Sequence, residues 1–171
     1  MTLQSARTRA EQLANDLHIT KPAVRVEEVA VELGLTVLYQ DLPEDISGVL
    51  VSRGSAGVIV VQAKDPDRRQ RFTIAHEIGH HCLKHQFEPG ALHIDRGFTI
   101  SFRTRFADVD RREAEANEFA ATLLMPARLL RKAITDLQTK SLNETHVDMI
   151  AADFQVSVPN LMLRLTLLAM A

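Results

Sequence analysis

Little in this 171-residue chain favours a secreted, membrane-spanning or nucleic-acid-binding protein. Cysteine occurs once, as Cys82, so no disulfide can close within the chain and a reducing compartment is expected. Neither sign of charge dominates: 20 Lys and Arg against 22 Asp and Glu leave a net charge of −2. That balance gives no general field for nucleic acid or an anionic membrane. The longest apolar run, LMLRLTLLAMA at the C-terminal end, is broken by Arg164 and is too short to span a bilayer. The opening MTLQSARTRAEQ lacks the apolar core of a signal peptide. Internal repeats, low-complexity tracts and evident linkers are missing too. Together these absences lead us to expect a cytoplasmic protein.

What is present describes a soluble globule, 46% hydrophobic and 25% charged. Its length suits a single domain spanning 1–171, with a core over 1–130 and a helical subregion over 131–171. Apolar residues at helical spacing predict a helix over 3–17 and another near 26–33, stopped by Gly34. Three β-rich runs follow, TVLYQ (36–40), GVLVS (48–52) and GVIVV (57–61). RGSA (53–56) joins the last two at hairpin length. Asp65-Pro66 marks a turn before a helix over about 67–85. Residues 86–109, with Pro89, Gly90 and Gly97, read as irregular. A long helix then runs through RREAEANEFAATLLM, and Pro126 opens the next at its first position. The remainder is helical, with a break at QVSVP (155–159). Helices, then antiparallel strands, then helices make an α+β class.

The chemistry gathers in RFTIAHEIGHH (71–81). His76 and His80 stand at i and i+4, so both imidazoles leave one helix face and can share an ion. Glu77 lies about 100° round the helix, beside the ligands, where a general base belongs. Ile74, Ile78 and Cys82 form the other side, which predicts an apolar back and a polar front. Gly79 is an odd choice inside a helix, where it costs about 1 kcal/mol relative to Ala; a close backbone neighbour would explain it. The plainer alternative is a set of surface histidines on an amphipathic helix.

A catalytic zinc site needs a third protein ligand. Leu83 and Gln86 occupy the positions where one extended histidine motif would place its glycine and third histidine. The acidic run EAEANEFA (113–120) offers Glu113, Glu115 and Glu118. Glu113 shares a helix face with Asn117, Ala120 and Leu124, and Asn117 is placed to orient a ligand histidine. Glu115 points almost oppositely, toward the side of Phe119. Glu113 is therefore preferred, then Glu115, with Glu118 last. An ordinary solvated acidic run beside Arg111 and Arg112 is the alternative.

These residues resemble a known family, the ImmA/IrrE metallopeptidases. The resemblance rests on VEEVAVELGLTVLY (26–39), ISGVLV (46–51), RQRFTIAHEIGHHCLKH (69–85) and EAEANEFAATLLMP (113–126), in that order. Gln62 departs from it, where an Asn is expected after the last strand. The resemblance implies metal ligation by His76, His80 and Glu113, with Glu77 as catalytic acid/base. It implies a zincin-like fold, with a small antiparallel sheet packed against the active-site helix. It also implies a substrate: a helix-turn-helix repressor, often encoded nearby, whose cleavage switches on stress-response or mobile-element genes. Zinc suits two histidines and a glutamate with one open position, and manganese or iron could occupy the same site.

Other features stay open. An oxyanion donor is usual in peptide hydrolysis, and His81, His85, His93, Arg103 and Arg105 are candidates. Residues 86–109, with Phe98, Phe102 and Phe106, are either a packed surface loop or a cleft rim that recognises substrate. An exposed sheet edge could hold the substrate as an added strand. Residues 147–168 have a helix-turn-helix cadence, yet 141–171 contain Glu144, Asp148 and Asp153 against Arg164 alone. DNA contacts need Lys and Arg, so no direct DNA binding is expected; a packing element or a protein-gripping surface is preferred. Two further readings remain beside a repressor-cleaving peptidase: a non-enzymatic anti-repressor that works by binding, and a DNA-binding regulator disfavoured by charge.

Overall fold

The structure is a computed structural model that describes residues 2–53, 56–85, 93–95, 107–139 and 141–170, with only the backbone path at 52–53, 93–95 and 107–110. Seven helices and four strands are described, beginning with α1 (Leu3–Asp16) and α2 (Val26–Glu32). Thr2 and Ser5 close a reciprocal capping box at the start of α1. Ala6, Ala10 and Ala14 then give α1 a narrow buried stripe, against which α4 packs closely. The chain leaves α2 through Gly34 at φ 75°, a left-handed turn that favours glycine.

Three strands follow: β1 (Leu35–Gln40), β2 (Gly48–Arg53) and β3 (Ala56–Gln62). A fourth, β4 (His93–Asp95), completes a sheet of order β1-β3-β2-β4. The sheet is mixed, where an antiparallel one was expected. β2 runs antiparallel to β3, register Gly48↔Val61 to Arg53↔Ala56, and antiparallel to β4. β1, however, pairs parallel with β3, Leu35 opposite Gly57. The hairpin places β2 on the far side of β3 and leaves the near side for β1; periodicity within one strand does not encode that choice. Gln62 clips the end of β3 to the 41–47 segment. Its amide donates to the Leu42 carbonyl across 2.7 Å and accepts from the Leu42 N–H at 3.3 Å.

The helix that bears the motif, α3 (Asp67–Cys82), packs against β2, β3 and α2 on one side and against α4 (Ala107–Leu124) on the other. This overturns the expected two-faced helix. Residues 73–80 are all buried, polar ones included, and Cys82 is only partly so. A polar side chain so enclosed must find partners within the fold. Gly79 has the close neighbour anticipated for it: a Cβ there would lie 3.2 Å from the Ala116 carbonyl oxygen and 3.2 Å from Phe119 of α4. The irregular stretch expected over 86–109 contains β4, and α4 already begins at Ala107.

Three helices complete the chain, α5 (Ala127–Asp136), α6 (Glu144–Phe154) and α7 (Val158–Leu167). Pro126 is the N-cap of α5 rather than its first residue. Glu11 of α1 accepts the Ala127 N–H at 2.9 Å, which places an anion at a helix N-terminus. Arg164 of α7, fully buried, reaches Glu11 and Glu118, each at 3.3 Å, and donates to the Met125 carbonyl. One buried cation thus ties the C-terminal helices to α1 and α4. Among the described residues, no helix is long and apolar enough to cross a membrane.

Candidate metal centre

Three side chains converge where α3 meets α4. His76 and His80 are buried, and their Nε2 atoms lie 2.9 Å apart. Glu113 of α4 faces them, with one oxygen 3.2 Å from His76 Nε2 and the other 3.5 Å from His80 Nε2. Among the described residues this is the group of His, Cys, Asp and Glu arranged to hold an ion. Bonds of about 2.0–2.1 Å in a tetrahedral arrangement put neighbouring donors about 3.3 Å apart, so the spacing fits. The side chains of His76 and His80 are 3% and 0% exposed and that of Glu113 is 31% exposed, so solvent reaches the centre from the glutamate's side.

The protonation pattern fits as well. Asn117 Oδ1 lies 2.9 Å from His76 Nδ1, which therefore carries the proton and leaves Nε2 bare toward the centre. Burial alone would raise the Glu113 pKa. Where an Nε2 of His76 or His80 carries a proton, its hydrogen bond to the carboxylate outweighs burial and holds the carboxyl well below the usual range; an ion would take that proton's place between the same atoms, against an anionic third donor.

Glu77, fully buried, follows His76 on the same helix and is not one of the three converging ligands. Its surroundings include β2, through a contact that sequence reasoning missed. A Cβ on Gly48 would lie 2.4 Å from Thr73 Cγ2 and 3.4 Å from Glu77 Oε1. Glycine at 48 is what lets α3 sit so tightly on the sheet, with the Glu77 carboxylate over the strand. The available signal was the ISGVLV stretch, whose glycine opens a strand instead of ending one.

The remaining carboxylates of the acidic run go elsewhere. Glu115 is buried and meets His85 Nε2 at 3.1 Å and Arg111 Nε at 3.1 Å. Glu118 binds Arg7 at 2.8 Å and Arg164 at 3.3 Å. His85, one of five oxyanion candidates, lies behind His80, with the two Nδ1 atoms 2.9 Å apart. Burial lowers its pKa against the opposing pull of Glu115. His81 is partly buried, its pKa lowered by burial, and is not one of the three ligands. His93 falls on β4, where the backbone alone is described, and Arg103, Arg105, Phe98, Phe102 and Phe106 lie outside the described residues.

The sequence profile of a metallopeptidase family, described as the IrrE N-terminal-like domain, matches residues 30–166. The chain belongs to this family. In this chain, the His-His-Glu cluster at the α3–α4 contact is the group that could hold a metal ion. No curated protein matches the chain. Among solved structures, the fold is similar to that of a Mycobacterium tuberculosis transcriptional regulator, with a TM-score of 0.64 and 16% identity. That match covers 96% of this chain and 47% of the regulator, so the chain spans about half of its relative's length. At such low identity the likeness speaks for the fold alone.

Proposed function

We propose that this chain is a metal-dependent endopeptidase that cuts a helix-turn-helix transcriptional repressor in the cytoplasm and so relieves repression of stress-response or mobile-element genes. His76, His80 and Glu113 would hold the ion, zinc by donor set, with manganese or iron as substitutes. A divalent ion held there supplies Lewis acidity for the scissile carbonyl and for water. Glu77 takes the proton of the attacking water and returns it to the leaving amine. Asn117 holds His76 with Nε2 facing the centre.

The observation that carries this reading is the position of Glu77: a carboxylate buried beside the cluster, over a strand that has a glycine where a side chain would crowd it. A module that only bound a repressor would have no use for it. β4 supports the choice of an extended peptide as substrate. Among the described residues it is an edge strand, and its Asp95 lies opposite Gly48, so an added strand there would run one strand beyond the one that Glu77 covers.

The test is incubation with a candidate helix-turn-helix repressor, with and without a chelator, followed by mass analysis. We expect a single cut that chelation stops and that Glu77→Gln abolishes. Loss of repression with the repressor intact and the chelator without effect would favour a binding anti-repressor.

A further inference from the structure

We propose that His85 is a positioning residue for the metal centre, set by Glu115 and Arg111 so that His80 presents a bare Nε2. The inference rests on the reading of His76, His80 and Glu113 as ion ligands.

The hydrogen bonds from Arg111 to His80 form one chain, each fixing the next. Glu115 is buried and as a carboxylate can only accept. Arg111 Nε donates to its Oε1 at 3.1 Å, which orients it. His85 Nε2, 3.1 Å from Glu115 Oε2, must then donate. In a neutral imidazole the other nitrogen is bare, so His85 Nδ1 accepts. Its neighbour at 2.9 Å is His80 Nδ1, which must carry the proton. His80 Nε2 is left without one and points at the cluster, 2.9 Å from the equally bare Nε2 of His76. Two lone pairs so close repel, and a cation between them removes the repulsion. Without His85 the proton of His80 could sit on Nε2 and bridge to His76, which would close the site.

The backbone is shaped for this arrangement. α3 ends at Cys82, and Lys84 turns the chain at φ 52°, a left-handed conformation unusual for lysine. The turn returns the His85 N–H to the His80 carbonyl at 3.1 Å and the Lys84 N–H to that of His81. It brings the His85 ring under that of His80, with centroids 5.0 Å apart. Behind the ring, α4 supplies Glu115, one turn after Arg111. The side chains of His85 and Glu115 are 5% and 3% exposed, so water does not compete for these bonds. A ligand histidine backed by an imidazole and a carboxylate is a stronger donor than one backed by solvent.

The test compares Co2+ and Zn2+ affinity, by competition with a chelator, in the wild type, His85→Leu, His85→Gln and Glu115→Gln. The Co2+ absorption spectrum and the melting temperature of each metal-free protein are recorded alongside. We expect His85→Leu to weaken binding by about 10- to 100-fold and to shift the Co2+ bands. His85→Gln recovers most of the affinity, because an amide can accept from His80 and donate to Glu115. Glu115→Gln, which keeps an acceptor but loses the charge, falls between wild type and His85→Leu and decides the matter if the leucine variant does not fold. Wild-type affinity and spectrum in His85→Leu would overturn the inference, as would a glutamine variant no better than leucine. A wild type that takes up neither ion would remove the metal reading itself and this inference with it.

Discussion

Three glutamates within six positions of α4 have three different surroundings, and burial with partners separates them. Glu113 faces two histidines, Glu115 a histidine and an arginine, and Glu118 two arginines. Helical geometry could put Glu113 and Asn117 on one face, and the structure brings both to His76. It could not place the other two. Their partners Arg7, His85 and Arg164 lie 111, 30 and 46 positions away in the chain. Gly48 was equally silent, because a missing side chain leaves no pattern in the sequence. Its role is testable. In Gly48→Ala the new methyl meets Thr73 Cγ2, so the Thr73 side chain or α3 itself must shift, with Glu77 next to it. We expect a loss of about 1–3 kcal/mol of stability, measured by urea denaturation, and a fall in cleavage. Adding Thr73→Ser removes the opposing methyl and restores much of both. Gly48→Ala with wild-type stability and cleavage would show that the strand–helix contact is slack.

At the scale of elements, local pattern located α1, α2, β1 to β3 and α3 to within a few residues, since each combines a period with a stop signal. It failed where an element depends on a distant partner. β4 has three residues and exists through its pairing with β2. The parallel β1–β3 ladder is likewise a matter of which side of β3 remains vacant. α3 was expected to be two-faced because histidine and glutamate read as solvent-facing, whereas α4 covers them. The fastening of α7 was invisible for a related reason: the partners of Arg164, Glu118 and Glu11, lie 46 and 153 positions away in the chain. Arg164→Ala would leave the buried Glu118 carboxylate with less compensation and Glu11 without its partner on α7. Breaking a buried pair costs about 3–5 kcal/mol. Chemical denaturation of the variant should show a loss of that order; a change below about 0.5 kcal/mol would mean that the ion cluster does not hold the C-terminal helices.

On the scale of the whole molecule, the buried arginine also bears on DNA. The helix-turn-helix cadence of 147–168 survives as α6, a turn at Gln155 with φ 53°, and α7. Its one arginine, however, is fully buried, which leaves Glu144, Asp148 and Asp153 as the charges of 141–171 that can face solvent. Phosphate contacts come from exposed Lys and Arg. Duplex DNA at about 0.15 M salt should therefore show no retardation by the protein; a specific, salt-sensitive shift would contradict this reading of the C-terminal helices. The family, the fold and the His-His-Glu cluster make metal binding the property on which the rest of the account depends.

That property is most directly measured by calorimetric titration of zinc into the metal-free wild type, Glu77→Gln and Glu113→Gln. The account predicts one ion per chain in the wild type, the same stoichiometry with little change of affinity in Glu77→Gln, and a large loss in Glu113→Gln. Tight one-to-one binding by Glu113→Gln, or no saturable site in the wild type, would contradict it.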